Sequence, residues 1–589
     1  MTSNQGHDTH LWRVVRKLFQ LLTRSERIGA IGMLLLSLLS SVFDVVGLAT
    51  VLPLVNLAID FSIVHESGFL SELYQNALQM GICSDEKGFL VLVCSGVVVV
   101  FGLKAIFSLF VSWVQTQFSY RISHRISGLM WDFHFSKNLE RMRSSDSGEV
   151  LAEINGWPVG IGGSFLSSVL QISQELMIVV VLVIAMLSYS PIVIGVVGAI
   201  TFLGAFIIRR LSKRRMYSFG RETKKLQPEN SSIIMNSVRG ALELWSFRAV
   251  FVVRDRYLSS LGRLFRMNVT IGVLSTLPSK LYEVMAVVAI GLAIVFPILF
   301  NLSWDIQLLT VMAVGAYRIM PSLARLSNSI NSMRRGMFVV HVIHDALQGQ
   351  NDIPLRHLND LNPISGDVSI VCENINVGYE ALEIPVLHNF SYHFVPGKLY
   401  GIVGPSGSGK STLINALLGV QPLMSGRIKI EEKLGSSLEL HDTLDPFDWM
   451  ASVGYLSQAP FLFQGTVEDN MRMMGEKENL NLALIERLLH RLNLVDVLGA
   501  DYFSFKLNEG GTNLSGGQQQ RLALVRALQR ESRVLILDEA TSALDGKLRD
   551  EVFNILQERC REGCCIILVT HDDQLAGRCD HVIDLSSEF

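Results

Sequence analysis

Charge is scarce in this 589-residue chain: Asp, Glu, Lys and Arg make up 18% of it, against 49% hydrophobic residues. Soluble domains run at about a quarter charged, so a chain living wholly in water is excluded, and disorder with it. Neither sign is in excess, since 51 basic residues face 54 acidic ones for a formal net charge of −3. Without a basic field there is no basis for a nucleic-acid partner. Cysteine is sparse and scattered: Cys83, Cys94, Cys372, Cys560, Cys564, Cys565 and Cys579 contain no CxxC pair. An odd, dispersed set is a poor disulfide framework and reads as reduced structural thiols. The N-terminus also lacks the short basic region and immediate apolar run of a cleavable leader. Leu11 to Arg27 is amphipathic instead, with Trp12, Val15, Leu18, Phe19 and Leu22 set against Arg13, Arg16, Lys17 and Arg24. That pattern predicts a helix lying on the membrane ahead of the first span.

What is abundant is long apolar sequence, and it is confined to the first 330 residues. A span needs roughly 20 largely apolar residues, which places six at about 28–58, 88–115, 162–188, 191–208, 284–304 and 306–325. Ser188-Tyr189-Ser190-Pro191 turns the third into the fourth. Fourteen basic residues lie between Arg209 and Arg266 against Glu222, Glu229, Glu243 and Asp255, whereas Asp60 to Lys87 carries five acids and one Lys. Positive loops stay in the cytoplasm, so both termini are expected there. The connections at about 116–160 and 209–275 are unusually long and look helical, broken only at Gly148, Gly156-Trp157-Pro158, Gly220 and Pro228. Helices of that length suit reaching a soluble domain. In the external loop Phe69, Leu70, Leu73, Tyr74, Ala77 and Leu78 share one helical face, which fits either a short helix on the outer leaflet or ordinary loop packing.

Near residue 345 the character changes. Asp352, Pro354, Asp360 and Pro363 mark a polar linker, and beyond it strand-like runs alternate with helical ones, as in an α/β domain with a mainly parallel sheet. Within that domain Gly404-Pro405-Ser406-Gly407-Ser408-Gly409-Lys410-Ser411, followed by Thr412, fits GxxxxGK[ST] between a strand and a helix. Its glycines let backbone N–H groups turn onto a phosphate, and the helix N-terminus adds its positive end. Lys410 is expected at the β- and γ-phosphates and Ser411 on Mg²⁺. A buried-strand run, Arg533 to Leu537, then ends in Asp538 and Glu539. Asp538 suits holding Mg²⁺ through water, and Glu539 suits polarising an attacking water.

Leu514-Ser515-Gly516-Gly517-Gln518 completes the set. With the two preceding motifs it resembles the signature of the ATP-binding cassette (ABC) family. The resemblance implies further roles: Tyr379 stacking on adenine, Gln458 linking Mg²⁺ and the attacking water to the membrane domain, Ser542-Ala543-Leu544-Asp545 crossing between cassettes, and His571 contacting the γ-phosphate. Near Asn508-Glu509-Gly510-Gly511, Gly510 departs from the family by replacing a usual basic residue. The whole chain resembles half-size ABC exporters: an all-α, six-helix transmembrane domain followed by an α/β phosphate-loop cassette. The expected limits are 1–27 for the amphipathic helix, 28–340 for the membrane domain, 341–366 for the linker and 367–589 for the cassette. In that family ATP sits between the phosphate loop of one cassette and the signature of another. One chain carries one of each, so a homodimer in a bacterial inner membrane, using ATP and Mg²⁺, is implied.

Charged residues inside spans cost roughly 2.5–3.5 kcal/mol at mid-bilayer on the insertion scale, so Asp44, Lys104, Glu283 and Arg318 need explaining. Glu283 and Lys104 suit end-of-helix or snorkelling positions. Arg318 lies too deep for that. It either pairs with Asp44 or Glu283, or lines a polar cavity with Arg325 for an anionic head group. Asp44 to Pro53, Leu277 to Glu283 and Tyr317 to Arg325 resemble membrane motifs of lipid-linked oligosaccharide flippases and related glycolipid exporters, with Ser279-Lys280 departing from that group's pattern. The resemblance implies a glycolipid cargo. Export of a peptide, a lipid A-like lipid or a drug, and a non-transporting ABC regulator or channel gate, remain as alternatives.

Overall fold

The computed structural model describes residues 11–50, 54, 57, 69–81, 85–136, 142, 145–187, 191–299, 306–348, 362, 364, 366–378, 384–432, 437–440, 442–472, 480–530, 532–541 and 544–586. The chain divides into two compact units, Met1–Phe135 with Ser145–Asp352, and Ser136–Ser144 with Ile353–Phe589.

The first unit is helical: α1 (Leu11–Leu21), α2 (Arg24–Ala49), α3 (Phe69–Gln79), α4 (Glu86–Phe135), α5 (Ser147–Leu151), α6 (Trp157–Gly160), α7 (Ser167–Leu187), α8 (Pro191–Arg239), α9 (Ala241–Ser246), α10 (Val250–Leu299) and α11 (Ile306–Gln348). Fifty residues of α4 and of α10 rise ~75 Å, well over twice the ~30 Å hydrocarbon thickness. Among the described residues four helices are long and apolar enough to cross a membrane, over Arg24–Gly47, Glu86–Phe135, Ser147–Ile184 and Val250–Val288. The expected fourth, fifth and sixth spans fall on α8, the end of α10 and α11, where most of the side chains at issue lie outside the described residues.

Expected breaks become tight packing. Gly220 and Pro228 sit inside the unbroken α8. At 156–158 the chain stays helical through two π-type stretches, Ala152–Gly156 and Ile161–Leu166, on either side of α6. The glycines serve approach rather than interruption. A Cβ at Gly148 would stand 2.4 Å from the Pro228 carbonyl oxygen, at Gly162 2.1 Å from Ser123 Oγ, and at Gly220 2.5 Å from the Arg335 carbonyl oxygen. Asp146 caps α5 by accepting from the N–H of Gly148 and Glu149, and its other oxygen accepts from Ser232 Oγ on α8 at 2.8 Å.

The leading helix departs from expectation. Val14, Leu18 and Leu22 are buried in a cluster with Met337, Val339, Val340 and Ile343 of α11, so the apolar face of α1 turns to protein rather than to lipid. Lys17 pairs with Asp345 at 2.6 Å, and His344 bonds Gln20 at 2.9 Å. Protein side chains are as good an apolar medium as lipid, and here polar partners flank the stripe. On α3, Ala77 is buried with Phe89 and Leu57, Tyr74 meets Phe89 edge-on at 5.0 Å, and Leu73 and Leu78 stay exposed, as does Met80 just past its end.

The second unit holds two main sheets and a short ribbon of β7 (Gly465–Thr466) and β8 (Lys506–Leu507). One is antiparallel in the order β2–β1–β4–β5, from β1 (Val368–Val377), β2 (Leu387–Phe394), β4 (Ser425–Glu432) and β5 (Ser437–Glu439). The other is parallel in the order β11–β3–β10–β9–β6, from β3 (Leu399–Val403), β6 (Val453–Leu456), β9 (Val534–Asp538), β10 (Cys565–Val569) and β11 (His581–Asp584). Every residue of β9 and β10 is buried, as continuous apolar runs in a covered parallel sheet require. The antiparallel sheet was not foreseen as a separate layer. Among the described cysteines none is bridged. Burial pushes the thiols of Cys564 and Cys579 up to about 11, which keeps them protonated and unreactive.

Candidate functional site

Ligands in open parallel sheets gather at the carboxyl ends of the strands, and the register here delivers the sequence-selected residues to that edge. Val569 of β10 lies level with Ile402 of β3 and with Asp538 of β9, and Leu456 of β6 lies level with Leu537. Each strand then contributes in turn. β3 runs into Gly404, β10 into Thr570 and His571, β9 into Glu539, and β6 into the exposed Gln458.

The phosphate loop turns on Gly404, Gly407 and Gly409 at φ of 149°, 88° and 93°, values that cost a side-chain-bearing residue dearly. Gly409 caps α12 (Lys410–Leu417) in the left-handed conformation. Lys410 is 8% exposed, and its Nζ donates to the carbonyls of Gly404 and Pro405 at 2.8 Å each. Ser411 is exposed at the helix start and Thr412 is buried behind it, while Ser408 Oγ is buried with no hydrogen-bond partner. A cradle of N–H groups around an orphaned hydroxyl and a buried ammonium fits an anionic phosphate chain.

Opposite the loop stand two carboxylates and an imidazole. Burial, and then the charge of Glu539, hold the Asp538 carboxyl above its ordinary range, with Lys410 and His571 pulling the other way. Glu539 occupies positive φ, 52°, strain that usually marks function at a residue other than Gly. Two backbone bonds fix it there: its N–H donates to the Val569 carbonyl at 3.1 Å, and its carbonyl accepts from Gln520 Nε2 at 2.7 Å. His571 Nε2 lies 3.1 Å from Glu539 Oε1. Both line a cavity of about 560 Å³ with Thr541, Arg549, Thr570, Asp572, Asp573 and Gln574. Sequence reasoning missed Gln520 and the Arg549–Asp572 pair, which meets at 2.6 Å. Gln520 sits two residues past the signature on the helix it opens, a signal that was available.

The signature is a helix cap. Ser515 opens α13 (Gly516–Leu528), its Oγ accepting from the Gln518 N–H while Gln518 Oε1 accepts from the Ser515 N–H at 2.7 Å. This reciprocal pair leaves Ser515 and Gly516 exposed, and a Cβ at Gly516 would meet nothing within 4 Å. The helix N-terminus therefore faces open space. Tyr379, Ser542 and Ala543 lie outside the described residues. Gly510 takes positive φ, 65°.

Of the span charges singled out above, those with described side chains are paired. Lys104 does not snorkel; it meets Asp44 at 2.8 Å, and mutual neutralisation lowers the cost of both. Glu283 pairs with Lys280 at 2.9 Å on an exposed face. Arg325 is forked onto the buried Glu175 and also donates to Ser322 Oγ, so the cation is already compensated. Glu175 lies inside the expected third span and escaped the sequence reading because the charge-free run begins one residue later, at Leu176. The backbone of Arg318 lies on α11, and its side chain is outside the described residues.

A phosphate-loop ATPase cassette fused to a helical unit of membrane-spanning type is the class these features define. The ABC transporter family pattern matches residues 387–542. The ATP-dependent lipid A-core flippase of Dechloromonas aromatica (strain RCB) is 25% identical over 451 residues, 75% of this chain and 74% of that one. Its counterpart in Saccharophagus degradans is 26% identical over 64% of this chain and 61% of that one. The multidrug resistance protein pgp-1 of Caenorhabditis elegans is 34% identical over 34% of this chain, which spans 15% of it. In fold, the structure of a bacterial Atm1-family ABC exporter with ATP bound superposes with a TM-score of 0.72 at 17% identity, covering 96% of this chain and 93% of that one. Residues 387–542 thus form an ABC-transporter ATPase domain, and in fold the whole chain matches an ABC exporter, a helical unit with membrane-spanning helices followed by one cassette.

Proposed function

We propose that the chain works as a homodimer in a bacterial inner membrane, its cassettes cytoplasmic, and uses ATP to move a lipid-linked oligosaccharide or related glycolipid out of the inner leaflet. Similarity over three quarters of the chain to a protein described as a lipid A-core flippase carries the lipid part of this reading. The common strand edge holding Lys410, Asp538, Glu539 and His571 supports the ATPase part. Lys410, Gly404, Pro405, Ser406, Gly407, Ser408, Gly409, Ser411 and Thr412 hold the phosphates, and Tyr379 stacks on the base. Ser411, Gln458 and Asp538 offer the hard oxygen donors that Mg²⁺ takes, and Mg²⁺ held there neutralises charge on the transferring group. Glu539 orients and polarises the attacking water, and His571 contacts the γ-phosphate. Ser515, Gly516, Gly517 and Gln518 meet nucleotide held by the second copy, consistent with their outward-facing helix N-terminus. Arg318 meets the cargo's anionic head, whereas the other expected contacts, Arg325, Glu283 and Asp44, are already engaged by Glu175, Lys280 and Lys104.

The test is reconstitution in liposomes with a polyprenyl-pyrophosphate oligosaccharide. ATP-dependent translocation is expected. Glu539→Gln stops it together with hydrolysis, and Arg318→Ala stops it while basal hydrolysis survives. Hydrolysis without lipid movement sinks the cargo assignment and leaves the ATPase standing.

A further inference from the structure

Lys224 and Arg335 of the helical unit are not among the pairings above. Lys224 on α8 and Arg335 on α11, with Ser164, Thr223 and Asn268, line a cavity of about 210 Å³ that has no carboxylate in its wall. Arg125, Arg325 and Lys104 show the contrast, since each meets a carboxylate: Glu26, Glu175 and Asp44. Burial is the one influence moving Lys224 and Arg335, and it lowers both side chains' proton affinity. Arg335 is described with a single weak donation, to Met216 Sδ at 3.7 Å, and Thr223 Oγ1 is buried with no hydrogen-bond partner.

The wall is built by close approach. A Cβ at Gly160 would stand 3.5 Å from Lys224 Nζ, and one at Gly220 would strike the Arg335 backbone. Lys224 also borders a larger cavity of about 1040 Å³, where Asp146, Glu149, Glu229 and Glu243 offset Arg221, Lys225 and Arg256. Of these two, the small cavity is the one whose described wall carries positive charge alone. Desolvating two cations without a counter-charge is costly, and an anion entering the cavity reverses that cost. At 210 Å³ the cavity is below the ~300–1,000 Å³ of sites that swallow a whole drug-sized ligand, so it takes a group rather than a molecule. Lys224 is nine residues beyond Arg215, ~14 Å further along α8 and past the basic end of the expected fourth span.

We infer that this cavity binds a phosphate group, gripped by Lys224 Nζ and the Arg335 guanidinium with the Thr223 hydroxyl donating, and that the group belongs to a phosphorylated lipid head before it enters the spans. The second half of that statement rests on the proposed lipid cargo; the first does not.

The test uses the full chain in nanodiscs with saturating ADP, so that the phosphate loop is already filled. Inorganic pyrophosphate is titrated by calorimetry into phosphatidylcholine nanodiscs. Separately, the melting temperature is compared in phosphatidylcholine alone and in phosphatidylcholine doped with lipid A. Lys224→Gln and Arg335→Gln are expected to weaken pyrophosphate binding about tenfold or more each, the scale of one lost charge-assisted hydrogen bond. Arg335→Lys, which keeps the charge, recovers most of it, separating a lost contact from a damaged fold. Lipid A is expected to raise the wild-type melting temperature and to lose that effect in both Gln variants. Equal pyrophosphate affinity in wild type and Gln variants overturns the site. Normal pyrophosphate discrimination with no lipid A effect overturns the lipid head as its source, and the translocation assay then judges the cargo reading by itself.

Discussion

Gln520→Leu separates placement of the catalytic carboxylate from nucleotide binding. Glu539 is held at φ 52° by a bond at each of its backbone groups, one from its N–H to Val569 and one from Gln520 Nε2 to its carbonyl. Such a conformation stores about 1–3 kcal/mol in a residue with a side chain. A buried hydrogen bond whose partner is removed costs about 1–3 kcal/mol. The two are of one size, so with the Gln520 bond gone the balance at 539 tips toward relaxation, opposed chiefly by the Val569 bond. Relaxation shifts the carboxylate by a fraction of the side chain's length, and an error of ~1 Å at a reacting group costs roughly 10²-fold in rate. The phosphate loop is untouched. The expected result is therefore kcat for ATP down by about 10²-fold with KM nearly unchanged, the pattern of a lost transition-state interaction. The melting temperature should fall by about 2–4 °C for each kcal/mol lost. Steady-state ATPase assays and calorimetry on purified protein measure both. A kcat within about twofold of wild type, alongside the expected drop in melting temperature, would refute the reasoning by showing that Gln520 supports the fold and not the carboxylate.

Three further perturbations test packing and charge. Gly162→Ala places a Cβ 2.1 Å from Ser123 Oγ and 2.4 Å from the Ser119 carbonyl oxygen, so a loss of about 1–3 kcal/mol is expected; Gly163→Ala, which meets only the Tyr120 hydroxyl at 3.3 Å, should melt near wild type. Glu175→Met strands Arg325, and because Arg325 is 38% exposed the loss should fall below the ~3–5 kcal/mol of a fully buried broken pair. Adding Arg325→Met should restore most of the melting temperature, and an additive double variant would deny the coupling. Asp538→Asn should raise the melting temperature of nucleotide-free protein at neutral pH while abolishing Mg²⁺-dependent hydrolysis. The Asp538 carboxyl titrates above its ordinary range chiefly through burial, so its ionised form opposes folding once pH exceeds the folded value. Below the ordinary carboxylate range both states are protonated and the advantage of Asn should vanish; an advantage that persists in acid counts against this account.

How much of this was legible in the chain depends on whether the signal is local. The phosphate loop, the Asp538-Glu539 strand end and the Ser515 cap are each written within a few consecutive residues, because backbone conformation, strand burial and helix capping are set by near neighbours. Their convergence follows once β3, β10, β9 and β6 lie side by side, since parallel strands bring their carboxyl ends to one edge. Long-range pairing has no such signature. Nothing near Lys104 names Asp44, sixty residues earlier, and nothing near Glu175 names Arg325. Nor does α1 announce its seat: an amphipathic stripe says that a face must be covered, and lipid and the Val339–Ile343 turn of α11 satisfy it equally. The same ambiguity governs the glycines. Gly148 and Gly220 read as breaks because glycine weakens an isolated helix, yet each admits a neighbouring backbone that any Cβ would repel. Propensity is a property of one helix, whereas close approach is a property of two. The cationic cavity at Lys224 and Arg335 belongs to the second kind. Its two charges stand 111 positions apart in sequence, and only the packing of α8 against α11 at Gly220 gives them a common wall.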